Sequence, residues 1–290
     1  MITAKMVKEL RESTGAGMLD CKKALEETNG DLEKAIDWLR EKGISKAAKR
    51  VDRIAAEGLS NALSKDSVGV IVEVNSETDF VAKNTLFQDL VNFISHSILS
   101  NDVNSLEEAL KVKTEEGTIE EVITLKTAKI GERLNFRRFK RIIKQDNEVF
   151  GSYVHMGGKI ASLVVLENTD EDVAKNVAMH VAAMNPTYLK REEVPVLVLE
   201  KEKEIIKEQA ILEGKPIEIA EKMVTGKINR YYKDVCLEEQ PYIKDDKINV
   251  GTYVKNNGGI IKSMIRFEVG EGLEKRKEDL VEEINKELNK

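Results

Sequence analysis

The sequence predicts a multidomain α+β protein, and three observations carry that expectation. Residues 1–43 show helical periodicity with no strand-like run. From Val68 onward, apolar strands and amphipathic helices alternate. Two stretches far apart in the chain echo each other, with β-hairpin patterns that make the strand pairing antiparallel. At 290 residues the chain has room for two or more domains.

The elements follow in order. Thr3 is placed to cap a first helix whose stripe is Met6, Val7 and Leu10. Gly15-Ala16-Gly17 breaks the chain, and a second helix carries Met18, Leu19, Ala24 and Leu25. Asn29-Gly30 is a turn, Asp31 caps a third helix, and Gly43 ends it. Residues 44–66 read as a polar, basic, Ala-rich linker or solvated helix face. Val68, Val70, Val72 and Val74 share one face of a strand, with Ile71 on the other. Residues 86–99 form an amphipathic helix, 101–117 read as acidic and peripheral, and 119–130 form a helix stopped by Gly131. Leu134–Ile142 alternates as a strand, which accounts for Phe139 inside the basic run Arg137–Arg141. Two charged amphipathic helices around Glu213-Gly214-Lys215-Pro216 make an antiparallel hairpin, and a last helix spans Leu273–Leu288.

The first echo pairs Gly151-Ser152-Tyr153-Val154-His155 with Gly251-Thr252-Tyr253-Val254-Lys255, each read as a strand before a Gly-rich turn and a second strand. The second pairs Thr78-Asp79-Phe80-Val81-Ala82-Lys83-Asn84 with Thr169-Asp170-Glu171-Asp172-Val173-Ala174-Lys175-Asn176. Both follow a strand and open a helix, which suggests a duplicated α/β unit. A Phe at such a turn can fold back into the core or stay out for a partner. The second copy holds two acids where the first holds Phe80, so the ring is dispensable for the unit's fold.

Composition narrows function. The net charge of −6 and 5% aromatics argue against a nucleic-acid platform. Cys21 and Cys236 have no CxxC spacing, so no disulfide framework or zinc site follows; Cys21 reads as a buried helix thiol. No apolar run approaches a membrane span, and the N-terminus lacks a secretory pattern, which makes the cytoplasm the default. Gly15-Ala16-Gly17 follows a helix and Gly270-Glu271-Gly272 lacks a third Gly, so no direct nucleotide binding is expected. His96, His155 and His180 stand in no metal-binding spacing; His96 and His180 are expected to pack or cap. No cofactor, metal or enzyme constellation emerges.

Thr14-Gly15-Ala16-Gly17-Met18-Leu19-Asp20-Cys21-Lys22-Lys23-Ala24-Leu25 resembles the N-terminal motif of the bacterial elongation factor Ts family. Glu73-Val74-Asn75-Ser76-Glu77-Thr78-Asp79-Phe80-Val81-Ala82 is similar to the second motif of that family. The resemblance continues through Ala178–Ala183, Ile219–Val224 and Ile265–Gly272, and covers nearly the whole chain in order.

That resemblance implies a guanine-nucleotide exchange factor for elongation factor Tu, met in its GDP-bound and nucleotide-free forms. It implies a ubiquitin-associated-like (UBA-like) three-helix domain over 1–53 and a core N-subdomain over 54–142. A core C-subdomain over 143–187 and 233–271, a helical hairpin over 188–232 and a C-terminal helical module over 272–290 complete it. By match, Thr78, Asp79, Phe80 and Val81 press into the GTPase near its nucleotide and dislocate Mg²⁺. Met18 and His155 follow as secondary partner contacts. The rival reading is a non-catalytic scaffold that recruits protein or RNA. Self-association through the hairpin is a separate expectation.

Overall fold

The structure, a computed structural model, describes residues 2–42 and 53–273. The basic stretch Lys46–Arg50 and the helix expected after Leu273 lie outside the described residues.

Helices α1 (Ala4–Thr14), α2 (Met18–Glu27) and α3 (Leu32–Glu41) open the chain. The Thr3 hydroxyl accepts from Met6 N–H at 3.3 Å, Gly15 closes α1 at φ 62°, and Asp31 Oδ1 accepts from Lys34 N–H. Leu10, Cys21, Ala24, Leu25, Ala35 and Leu39 are fully buried in a core of their own, with Trp38 packed at its margin.

Strands β1 (Glu57–Lys65) and β2 (Val68–Ser76) follow as an antiparallel pair. β1 falls where the sequence reads as linker, because its small and polar letters carry no apolar run. Pairing along all of β2 and cover from the second sheet make it a strand: Leu59, Ser60 and Ala62 are buried between elements. After β2 come α4 (Asp79–Ala82), α5 (Thr85–Ser100) and α6 (Leu106–Leu110). A small hairpin, β3 (Lys113–Thr114) and β4 (Gly117–Thr118), leads into α7 (Ile119–Ile130). The stretch read as peripheral thus buries Val103, Ala109 and Val112 in the main core, because its apolar minority all turns inward.

Strands β5 (Asn135–Ile143), β6 (Glu148–His155) and β7 (Ile160–Glu167) precede α8 (Glu171–Met184). α9 (Val196–Leu212) and α10 (Ile217–Val235) pack on each other. β8 (Pro241–Tyr242), β9 (Asp245–Asn249), α11 (Val250–Asn256) and β10 (Ile260–Glu268) complete the described chain.

Two three-stranded antiparallel sheets, ordered β1-β2-β5 and β10-β7-β6, form the centre. Val70, Val72 and Val74 of β2 face α5 and α7, while Ile71 faces the other sheet. In β7, Val164 and Leu166 face α8, while Leu163 and Val165 meet Ile71 and Phe150 between the sheets. Both central strands are therefore buried on both faces, which explains their nearly continuous apolar runs. Gly151 permits the close approach of β6 to α8: a Cβ there would lie 2.1 Å from Ala174 O.

One expected strand is a helix. Gly251–Val254 lies in α11, capped by Asn249 Oδ1, which accepts from Thr252 N–H at 2.7 Å. Val250 and Val254 stand one turn apart and both are buried in one core with Leu237, Tyr242 and Ile261, and that helical spacing overrides the likeness to Gly151–Val154.

Candidate functional site

The site begins where β2 ends. Ser76 is buried and its hydroxyl donates to Thr78 O at 2.9 Å, which tightens the turn. Thr78 stands at the N-cap of α4, yet its side chain does not cap that helix. Both its donors go to Glu132 instead: N–H to Oε2 at 3.0 Å and O–H to Oε1 at 2.7 Å. Glu77 turns the opposite way and accepts from Arg133 N–H at 2.6 Å, with Arg53 Nη1 3.2 Å from Oε2.

α4 lasts a single turn. Val81 and Ala82 are buried against the main core, and Asn84 caps α5 by accepting from Leu86 N–H at 2.9 Å. The chain is thus pinned on both sides of Phe80, and Phe80 itself is 78% exposed. Lys83 Nζ lies 5.7 Å from the Phe80 ring centroid and 3.0 Å from Asp79 Oδ2. The Lys83 hydrogen bond, with the more distant charge of Lys159, holds the Asp79 carboxyl below its ordinary value, so Asp79 is ionised at neutral pH. An aromatic ring with a carboxylate beside it is presented on a corner that two buried side chains anchor.

His155 ends β6, where its ring stacks on Tyr153 with centroids 5.9 Å apart. The turn after it holds Met156 at φ 49°, Gly157 at 65° and Gly158 at 101°, and leaves Met156 70% exposed. This turn packs against β1, and Lys159 Nζ reaches Glu57 at 2.5 Å, which ties it to the strand that flanks the Phe80 corner. Met18 starts α2 and is 61% exposed beside Leu19. The two line an apolar groove of about 860 Å³ with Ile2, Val7 and, from α7, Ala128. Thr78, Asp79, Phe80 and Val81 form one corner, with the His155 turn linked to it through Lys159; Met18 belongs to the separate groove.

Two expectations for other residues divide. His180 is buried: Nε2–H donates to Gln240 Oε1 at 2.9 Å, and Nδ1 accepts from Ile243 N–H at 3.2 Å. Burial holds its pKa below the ordinary histidine value. His96 neither packs nor caps; it is exposed on α5, because the buried face there belongs to Ile94, Ile98 and Leu99. Cys21 and Cys236 are buried free thiols. Among the described residues, no group of three or more His, Cys, Asp or Glu side chains could hold a metal ion. Among them, no helix is long and apolar enough to cross a membrane.

Sequence reasoning missed Glu73, a fully buried carboxylate at the centre of β2. It accepts from Arg137 Nη1 at 2.9 Å, Arg138 Nε at 2.5 Å, Gly270 N–H at 2.9 Å and Asn75 Nδ2 at 3.1 Å. Burial pushes its pKa up, but these four donors outweigh burial and leave it below the ordinary value. Arg138 also stacks over Phe267 at 4.2 Å and reaches Glu271 Oε2 at 3.0 Å, so the run after β10 is fastened to β2 and β5. Arg141 pairs with Asp102 at 2.8 Å. Most of the basic run Arg137–Arg141 is thereby engaged inside the protein. The available signal was Glu73 itself, one acid inside the apolar run Val68–Val74.

Comparison with known proteins agrees with the motifs. A family model described as "Elongation factor TS" matches residues 77–271, which takes in the Phe80 corner, Arg137, Arg138 and the run through Glu271. A curated protein of Pediococcus pentosaceus, named "Elongation factor Ts", is 53% identical over 287 residues, covering 99% of this chain and 98% of its own length. The chain belongs to the elongation factor Ts family of translation elongation factors.

Proposed function

We propose that this chain is a guanine-nucleotide exchange factor that binds elongation factor Tu in its GDP-bound and nucleotide-free forms. It acts in the cytoplasm, without covalent chemistry and without a nucleotide site of its own. The Thr78–Val81 corner enters the partner, disturbs the groups that order Mg²⁺ and the phosphates, and promotes GDP release so that GTP can rebind. Phe80 supplies the displacement. Asp79, ionised and paired with Lys83, holds the corner and brings negative charge to the phosphate side. Met18 and His155 make secondary contacts. The layout implied by the family resemblance goes with this reading: UBA-like domain 1–53, core subdomains 54–142 and 143–187 with 233–271, hairpin 188–232 and C-terminal module 272–290.

One observation carries the reading. Phe80 is 78% exposed on a corner whose next two side chains are buried, so its exposure is imposed by the backbone. An exposed ring on a pinned corner is suited to a partner, since desolvating it there is favourable and little chain entropy is lost. Exchange requires tighter binding to the empty GTPase than to the loaded one, and that coupling is reciprocal: added GDP must expel the factor.

The test is release of a fluorescent GDP analogue from elongation factor Tu, with catalytic amounts of this protein and excess unlabelled GDP. Wild type should accelerate release, and Phe80→Ala should do so far less while its circular dichroism is unchanged. No acceleration by either, with capture of the partner indifferent to GDP, would put the scaffold in place of the exchange factor. A second contact is favoured by the hairpin tip, where Leu212 is 87% and Ile217 61% exposed. If it joins two copies, light scattering will read twice the chain mass for the full chain and a single chain's mass for the chain without the hairpin.

A further inference from the structure

We infer that Glu132 is a positioning residue for the Phe80 corner, acting with Glu77 as a two-way clasp between the β2–α4 and α7–β5 turns. The inference rests on the proposed exchange function of that corner.

The clasp is reciprocal. Glu132 accepts from the Thr78 N–H at 3.0 Å and from its hydroxyl at 2.7 Å. Glu77 accepts from the Arg133 N–H at 2.6 Å, while Arg53 approaches the same carboxylate. Each turn gives one carboxylate and receives one. Gly131, at φ 92°, ends α7 in the left-handed conformation just before Glu132.

The fold closes without this clasp. The β2–β5 ladder runs to the pair Asn75↔Asn135, and the core reaches the corner through Val81 and Ala82. Between those anchors, Glu132 is what takes up both polar hydrogens of Thr78. Without it the Thr78 hydroxyl is free to turn and cap α4, the ordinary role for a Thr in that position. The corner would then settle differently under Phe80.

A wedge displaces its target only when its own backing is the stiffer of the two. A corner that yields absorbs the strain which would otherwise fall on the partner's nucleotide pocket. The loss therefore belongs to the step that releases GDP, and the encounter with the partner is spared. In kinetic terms the maximal release rate at saturating factor falls, and the concentration for half-maximal release stays in place.

The experiment measures GDP-analogue release from elongation factor Tu across a range of concentrations of the full chain. Wild type, Glu132→Ala, Glu132→Gln, Phe80→Ala and the Phe80→Ala/Glu132→Ala double variant are compared. Glu132→Ala should lower the maximal rate about tenfold, the scale of one lost hydrogen bond to a charged group. Half-saturation should stay within about twofold. Glu132→Gln keeps one acceptor oxygen and should fall between. With Phe80 already removed, Glu132→Ala should add nothing, since both act through one element.

A normal maximal rate in Glu132→Ala, or losses that multiply in the double variant, would overturn the clasp. So would a loss confined to half-saturation. If Glu132→Ala misfolds by circular dichroism, Glu132→Gln and Glu77→Gln carry the same test. Phe80→Ala as fast as wild type would bring down the corner's exchange role and the clasp with it. Slow Phe80→Ala beside fast Glu132→Ala would bring down the clasp alone.

Discussion

Two strands, β2 and β7, end in nearly the same letters and turn into helices that serve different ends. After β7, Asp170 caps α8 by accepting from Val173 N–H at 2.8 Å, and the helix runs unbroken to Met184. After β2, Asp79 caps nothing: it pairs with Lys83, and α4 stops after four residues so that Asn84 must start α5 anew. Val81 and Ala82 sink into one core as Val173 and Ala174 sink into the other. Between these shared anchors the first corner holds out Phe80, and the second holds out Glu171 and Asp172. Thr169 bonds to Asn257 O, whereas Thr78 gives both donors to Glu132. The likeness in sequence therefore reports the buried anchors. The difference in role sits in what each Thr-Asp pair bonds to.

This comparison can be broken at the strands themselves. Each central strand buries a polar side chain within its apolar run: Glu73 in β2 and Ser162 in β7, the latter donating to Ala178 O at 2.7 Å. Glu73→Ala removes the buried charge that two guanidinium groups share and should cost about 3–5 kcal/mol, against about 1 kcal/mol for Ser162→Ala. Urea unfolding midpoints would show the gap. A pH series sharpens it. Glu73 has a depressed pKa in the folded protein, so its contribution is complete above the ordinary value of 4.5 and is lost as pH falls through the lower folded value. Wild type should lose urea resistance steeply below pH 4.5, and Glu73→Ala should lose less.

A smaller effect tests the caps. Asp170→Ala removes a real N-cap and should cost about 1 kcal/mol. Asp79→Ala removes an exposed pair and should shift the midpoint little. If the two changes cost the same, the corners are not different in the way described. The smallest stability effect belongs to Phe80→Asp, which makes the first corner resemble the second. It should stay within about 0.5 kcal/mol of wild type, as an exposed surface change does, while GDP release collapses. A large loss of stability would mean that the ring packs in solution.

Helices α1–α3, α5 and α7–α10, the β2, β5 and β7 strands and the aromatic at a strand end were legible in the sequence. Each of those signals is local, a period of 2 or 3.6 or a cap beside its helix. β1 was not legible, since Gly-Leu-Ser-Asn-Ala becomes a strand only by lying along β2. α11 was misread because Gly-x-Tyr-Val fits either element, and the burial of Val250 and Val254 decides for helix.

The sequence by itself offered candidates for the partner: the Thr78–Val81 corner through its motif and its echo, and Met18 and His155 through the family resemblance alone. Its motifs and local periodicity also carried the α+β class and the family. Only the tertiary structure decided how that corner is held. Glu132 lies 54 residues from Thr78, and Arg137 lies 64 residues from Glu73. Charged residues are a third of this chain, so any of many acids could have served either arginine or Thr78. Which one does is fixed by strand register and by the turn after Gly131, because a hydrogen bond needs its partners within about 3 Å and chain sequence does not encode that distance locally.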